Sequence, residues 1–208
     1  MARALILVDL QYDFCPGGAL AVARGDETID VANRMMPRFS TVVATQDWHP
    51  PAHKSFAVNN PGTRPGDVID LDGTPQVMWP AHCVQSTPGA RLHEGLELSR
   101  IVEVFRKGTD PWIDSYSGFF DNGHKKATGL GDWLAEREIG HVFVMGLATD
   151  YCVKWTALDA RKLGFEVTVI GDGCRGVDLQ PFDGERAFAE MRAAGCEVVE
   201  ADSIHEDG

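Results

Sequence analysis

Short runs of apolar and β-branched residues recur along the chain, and longer stretches with apolar positions at helical spacing lie between several of them. Runs of about four to eight such residues are typical of buried strands, whereas the longer stretches are typical of helices that cover a sheet. The predicted strands span residues 3–9, 41–45, 101–105, 141–146, 166–171 and 197–200. The predicted helices span residues 26–36, 130–138, 151–163 and 183–194. This alternation predicts a three-layer α/β/α fold around a parallel, Rossmann-like sheet.

Glycines mark the ends of three predicted helices. Gly140, Gly164 and Gly195 each stand just past a helical stretch, where a residue with positive φ is often needed to stop the helix. We expect all three to act as helix stop signals.

The stretch from residue 46 to residue 95 shows neither the short apolar runs of a strand nor the apolar spacing of a helix. It holds seven of the 11 prolines and four of the seven histidines of the chain. Long irregular segments inside compact α/β domains are usually functional or disordered, and the aromatic residues here argue against disorder. We therefore expect one domain over residues 1–208, with an irregular insertion at about 46–95.

Composition narrows the classes of partner. The 208-residue chain carries a formal net charge of −12, which argues against nucleic acid and anionic membranes as partners. Its five cysteines are scattered and form no Cys-x-x-Cys pair, as is typical of a reducing compartment. The N-terminal apolar run is too short for a signal peptide, and no later run approaches membrane-spanning length. We expect a cytoplasmic protein. Its charge says nothing about a small neutral substrate, and its oligomeric state stays open, with a homo-oligomer possible.

Four chemically active side chains fall at or just past predicted strand ends. They are Asp9, Asp47, Lys107 and Cys152. Ligands of open α/β sheets bind beyond the C-terminal ends of the strands, so we expect the four to share one crevice. A helix N-terminus would favour the thiolate of Cys152, Asp9 would accept its proton, and Lys107 would stabilise both anions. Taken alone, Cys152 is more often an ordinary buried thiol.

A second group of residues has the spacing of metal ligands. Asp47 and His49 form an Asp-x-His pair, and His82 from the irregular segment would complete three ligands with open positions for water or substrate. His53 and His93 are weaker candidates. Alone, such a pair is more often a set of structural hydrogen-bonding groups in a loop.

Six motifs, in order, resemble those of the nicotinamidase and pyrazinamidase family of isochorismatase-like cysteine hydrolases. The resemblance covers nearly the whole chain. The motifs are ALILVDLQYDF at 4–14, TQDWHP at 45–50, WPAHCV at 79–84, KGTD at 107–110, DSYSGFFD at 114–121 and GLATDYCV at 146–153.

The resemblance implies a complete set of site residues. The implied catalytic triad is Asp9, Lys107 and Cys152. The implied ligands of one divalent ion, Zn²⁺, Fe²⁺ or Mn²⁺, are Asp47, His49 and His82, with His53 the nearest further candidate. The implied substrate walls are Phe14, Trp79 and Tyr116. The implied oxyanion hole is formed by the backbone N–H groups of Ala148 and Cys152, with a cis peptide bond before Ala148.

The implied activity is hydrolysis of nicotinamide to nicotinate and ammonia through a cysteine thioester, in NAD salvage, with pyrazinamide as a further substrate. Another Asp-Lys-Cys amidohydrolase, acting on N-carbamoyl or ureido amides, would share the triad but would need no metal to anchor a pyridine ring. A catalytically idle binding protein on the same fold, a non-catalytic metal-binding protein and an isochorismatase proper are further alternatives.

Overall fold

A six-stranded parallel sheet forms the centre of the computed structural model, which describes residues 2–71 and 73–205. Its strands are β1 (Ala2–Val8), β2 (Val42–Asp47), β5 (Glu103–Lys107), β6 (Ile139–Leu147), β7 (Glu166–Arg175) and β8 (Glu197–Val199). They lie in the order β5-β2-β1-β6-β7-β8. Residues 4–8 of the central strand β1 form an apolar run and are fully buried because both faces of the sheet are covered.

Four helices flank this sheet and complete the predicted three-layer fold. They are α1 (Glu27–Met35), α2 (Leu130–Ala135), α3 (Lys154–Lys162) and α4 (Asp183–Ala193). Helices α1 and α3 both contact β6 and β7, and their buried residues face the core. The predicted strands and helices are therefore confirmed to within a few residues, except that α2 is shorter than expected.

The helix stop signals are confirmed at two of the three glycines. Gly164 and Gly195 follow α3 and α4 with φ values of +94° and +87°. The prediction for Gly140 was wrong, because α2 already ends at Ala135 and Gly140 lies inside β6.

The irregular segment contains a hairpin that the sequence pattern did not predict. Strands β3 (Val68–Leu71) and β4 (Thr74–Val77) pair antiparallel and form a separate two-stranded sheet. Isolated bridges join parts of the segment to each other, as between His49 and Val84, and the bridge between Gln11 and Leu92 joins the segment to the residues after β1. The insertion is thus an ordered layer beside the C-terminal ends of β1 and β2.

All five cysteines are free and buried. Across residues 2–71 and 73–205, no helix combines the length and apolar character needed to cross a membrane.

Candidate active site

The ends of three neighbouring strands bring a lysine and two aspartates together. Asp47 and Lys107 are register partners at the ends of β2 and β5, and Asp9 directly follows β1 with φ at +50°. The Lys107 Nζ atom lies 2.7 Å from Asp47 Oδ1 and 2.9 Å from Asp9 Oδ2. It also donates a hydrogen bond to the Ser115 carbonyl oxygen at 2.9 Å. The ammonium is therefore fully engaged inside the protein.

The Cys152 thiol lies beside this ion-paired group. Residues Thr149–Val153 form a single π-helical turn between β6 and α3, in which the Val153 N–H donates to the Ala148 carbonyl oxygen. Cys152 Sγ is 3.3 Å from Lys107 Nζ. It also lies within 4.8 Å of carboxylate oxygens of both Asp9 and Asp47. The four strand-end residues therefore meet in one place, as the strand-end rule predicts.

Burial and charge set the protonation states in this group. Burial opposes the charged form of Lys107, but the Asp47 and Asp9 carboxylates outweigh it and raise the pKa of the ammonium well above its usual value. Burial raises the pKa of Asp9, and Lys107 partly offsets this rise. Burial also raises the pKa of the Cys152 thiol well above its usual value; Lys107 partly offsets this rise, and the neighbouring Asp9 adds to it.

Burial of the sulfur therefore opposes the thiolate form that a helix N-terminus would favour at Cys152. The favourable effect of a helix N-terminus is small compared with the cost of placing a sulfur anion in a site that already holds two carboxylates. Carboxylate oxygens of Asp9 and Asp47 both lie within 4.8 Å of this sulfur.

The residues expected to hold a metal form a compact, buried set. Ligand atoms of Asp47, His49 and His82 all lie within 4.8 Å of one another. Asp47 Oδ2 is 3.3 Å from His49 Nε2 and 3.7 Å from His82 Nε2. His49 Nδ1 lies 2.9 Å from the Gly108 carbonyl oxygen, and His82 Nδ1 lies 2.8 Å from the Pro80 carbonyl oxygen.

These contacts fit a divalent cation. An Nδ1–H that donates to a carbonyl leaves the Nε2 lone pair free for a metal, which is the arrangement that orients histidine ligands. The His49 Nε2 atom is buried, and among the described residues it makes no well-aligned hydrogen bond, since its 3.3 Å contact with Asp47 Oδ2 lacks hydrogen-bond geometry. One carboxylate and two imidazoles suit Zn²⁺, Fe²⁺ or Mn²⁺.

The two weaker histidine candidates differ from this pair. His53 is buried, and burial lowers its pKa to about 4. Its Nδ1 accepts the backbone N–H of Ser55 at 3.2 Å, which places the ring proton of the neutral form on Nε2. His93 is placed elsewhere, with its ring 4.5 Å from that of Tyr12. Only His53 therefore borders the candidate metal site.

The expected aromatic walls line one cavity together with Cys152. Phe14, Trp79 and Tyr116 border it, as do the previously unassigned residues Leu20, Asp114, Tyr151 and Val177. The Tyr116 hydroxyl accepts hydrogen bonds from Trp79 Nε1 at 3.3 Å and from Gln76 Nε2 at 3.2 Å. These two bonds fix the orientation of the phenol ring. Proximity to Cys152 along the chain could have indicated Tyr151, whereas Gln76 carries no sequence signal.

The backbone before Cys152 has the unusual peptide bond implied by the resemblance. The Leu147–Ala148 bond is cis. Ala148 and Cys152 both border the cavity, so their N–H groups remain the candidate oxyanion donors.

Known proteins share this fold and sequence along almost the entire chain. The chain belongs to the isochorismatase domain family, which matches residues 3–203. Nicotinamidase of Escherichia coli strain K12 is 57% identical over 197 residues, which cover 93% of this chain and 92% of that protein. This membership confirms the family expected from the sequence motifs.

Solved structures agree with the sequence comparison. A nicotinamidase and pyrazinamidase of Acinetobacter baumanii superposes with a TM-score of 0.94 at 46% identity, covering 97% of both chains. A pyrazinamidase of Pyrococcus horikoshii in complex with zinc superposes with a TM-score of 0.76 at 38% identity, covering 96% of this chain and 99% of that one.

Proposed function

We propose that this protein hydrolyses nicotinamide to nicotinate and ammonia. The observation that carries the proposal is the meeting of Cys152 with Lys107 and Asp9, where Cys152 borders an aromatic-walled cavity. Asp47 and His82, which form the metal-donor set together with His49, border the same cavity. Similarity to nicotinamidases supports it. Because two structural relatives are described as pyrazinamidases, pyrazinamide is a proposed second substrate.

The first half of the reaction forms a thioester. The Asp9 carboxylate accepts the Cys152 proton while the sulfur attacks the carboxamide carbon. Lys107 Nζ, 3.3 Å from Sγ, stabilises the thiolate as it forms. The N–H groups of Ala148 and Cys152 receive the developing oxyanion. The C–N bond then breaks as Asp9 returns the proton to nitrogen, and ammonia leaves.

The second half of the reaction releases the acid. Water attacks the thioester carbon and gives a proton to Asp9, and the C–S bond breaks. Asp9 then returns that proton to sulfur, which restores the thiol. The raised pKa values of Asp9 and Cys152 suit this exchange, because neither group holds the proton so weakly that it is lost to solvent.

The cavity walls and the metal-donor set orient the substrate. Phe14 and Trp79 would enclose the pyridine ring, and Tyr116 is held in place by its two hydrogen bonds. A divalent ion held by Asp47, His49 and His82 would supply a Lewis-acidic anchor for the ring nitrogen. Fixing the ring positions the carboxamide for attack by sulfur.

The setting of the reaction is part of the proposal. Nicotinate is a precursor of pyridine nucleotides, so we infer a role in NAD salvage. Five free cysteines are consistent with the reducing environment of the cytoplasm.

The test is ammonia release by the purified protein with nicotinamide, pyrazinamide and N-carbamoylsarcosine as separate substrates, before and after chelation. We expect turnover of the two aromatic amides, loss on chelation and recovery when Zn²⁺, Fe²⁺ or Mn²⁺ is restored. Preference for the carbamoyl amide, unaffected by chelation, would instead identify an amidohydrolase of the alternative kind.

A further inference from the structure

Asp114 is a buried carboxylate at the cavity that the steps above do not use. It is 5% exposed and borders the same cavity as Cys152. Its Oδ1 accepts the backbone N–H of Ser115 at 2.8 Å, and its Oδ2 accepts Gln76 Nε2 at 3.0 Å. Gln76 lies on β4 of the insertion and is 4% exposed. One amide from the insertion thus holds this carboxylate in place.

The position of Asp114 links it to the metal-donor set. Ligand atoms of Asp114, His49 and His53 lie within 4.8 Å of one another. His49 also belongs to the set with Asp47 and His82, so the two sets share a residue. The Nε2 atoms of His49 and His53 are buried and make no well-aligned hydrogen bond among the described residues, although Asp47 Oδ2 lies 3.3 Å from His49 Nε2. Buried nitrogen atoms of this kind require a partner, and a hydrated cation would provide one.

Charge balance supports the same conclusion. Asp9, Asp47 and Asp114 are three buried carboxyl groups, whereas Lys107 is one buried ammonium, so acidic groups outnumber the lysine here. Uncompensated charge is costly inside a protein. A divalent cation would offset this excess of acidic groups. Gln76 fits this balance, because a neutral amide fixes Asp114 without cancelling its charge.

We propose that Asp114 supplies a second carboxylate to the divalent-metal site and that Gln76 is its positioning residue. The proposal rests on the metal site of the proposed function and adds a residue to it. Asp114 binds either the ion or the waters bound to the ion. The His53 ring carries its proton on Nε2 and donates a hydrogen bond to the groups around the ion. The Gln76 amide also bonds Tyr116, so one residue positions both the carboxylate and a cavity wall.

The first experiment measures Zn²⁺ affinity by competition with a chelating indicator, for wild type, Asp114→Asn and Asp121→Asn. Losing an outer partner of a metal site costs about 10- to 100-fold in affinity, and we expect a loss of that size for Asp114→Asn. Asp121→Asn is a matched control, because Asp121 is a buried aspartate of the same motif at 114–121. Its carboxylate accepts the backbone N–H of Lys125 and not the Gln76 amide. Equal affinities for wild type and Asp114→Asn would overturn the proposal.

The second experiment tests Gln76 while leaving Asp114 unchanged. Gln76→Met keeps the side-chain length and removes the donor, so we expect weaker Zn²⁺ binding and an altered visible absorption spectrum of the Co²⁺-loaded protein. Gln85→Met is the control, because Gln85 donates to the Trp48 carbonyl oxygen. A wild-type Co²⁺ spectrum and Zn²⁺ affinity in Gln76→Met would overturn the assignment of Gln76.

These measurements separate the two proposals. A wild-type protein that binds Zn²⁺ tightly and loses affinity in Asp114→Asn, yet leaves nicotinamide intact, would contradict only the proposed function. Turnover of nicotinamide with unchanged Zn²⁺ affinity in Asp114→Asn would contradict only this further inference.

Discussion

Lys107 lies between two carboxylates and has no access to solvent. Its ammonium is 2.7 Å from Asp47 and 2.9 Å from Asp9. Removing one partner from a buried ion pair leaves uncompensated charge and costs about 3–5 kcal/mol. We expect Lys107→Met to lower the free energy of unfolding by about that amount and to abolish amide hydrolysis. Urea denaturation and an ammonia assay measure the two effects.

An exposed pair provides the control for this substitution. Arg100 and Glu97 also lie 2.7 Å apart, but their side chains are 45% and 52% exposed. We expect Arg100→Met to cost about 0.2–1 kcal/mol, as is usual for surface pairs. A loss for Lys107→Met no larger than for Arg100→Met would show that the buried group does not depend on this charge.

At the residue scale, the sequence predicted where the reactive groups meet but not their protonation. Asp9, Asp47 and Lys107 could be placed together because strand ends in a parallel sheet share an edge. The raised pKa of Cys152 could not be predicted, since it depends on how completely the fold removes water from the sulfur. Gln76 and Asp114 were missed because their contact joins two irregular parts of the chain.

The turn after β5 positions His49, a proposed metal ligand. Gly108 has φ at +63°, and a Cβ at this position would overlap the His49 ring. The substitution Gly108→Ala therefore has two costs, about 1–2 kcal/mol from positive φ and a displacement of the ring. We expect it to lower Zn²⁺ occupancy, as measured by metal analysis of the purified protein.

Gly164→Ala separates the two effects. Gly164 has φ at +94° and no atom within 4 Å of where a Cβ would lie. The Gly164→Ala protein should therefore lose stability through backbone strain while keeping its bound metal. Full Zn²⁺ occupancy in Gly108→Ala would show that the turn does not control the position of His49.

At the element scale, the regular layers were predictable and the insertion was not. The core strands carry apolar stretches, such as residues 4–8 of β1, because the covered sheet buries both faces. Strands β3 and β4 are only four residues long, partly exposed and interrupted by Pro75, so they show little alternation. Their hairpin nevertheless supplies Gln76 to the cavity side of the molecule.

One ion-paired group joins distant parts of the whole molecule and responds to pH. Glu27 on α1 pairs with Arg24 and with Arg175 at the end of β7. Hydrogen bonds from Arg24, then Arg175, lower the pKa of Glu27 from its usual 4.5 to about 2. A carboxyl group whose pKa is lowered by folding stabilises the folded protein at pH values above the pKa of the unfolded chain. This contribution is lost as the pH falls from 4.5 towards about 2.

We therefore expect Glu27→Gln to lower the urea midpoint at about pH 6 and to have less effect at about pH 3. Asp30→Asn is the control, because it removes an exposed carboxylate of the same helix and leaves the Arg24 and Arg175 contacts intact. Equal effects of Glu27→Gln at both pH values would contradict the assigned pKa direction.

The measurement that tests the central claim most directly is the rate of nicotinamide hydrolysis by Cys152→Ala, with Cys174→Ala as a matched buried-thiol control. Removing a catalytic nucleophile costs at least about 10⁴-fold in rate, so Cys152→Ala should be inactive while it keeps its fold and bound metal. Cys174 is 4% exposed and has its thiol bonded to the Ile170 carbonyl oxygen, so Cys174→Ala should remain active. A folded, metal-loaded Cys152→Ala that hydrolyses nicotinamide at the wild-type rate would contradict the account.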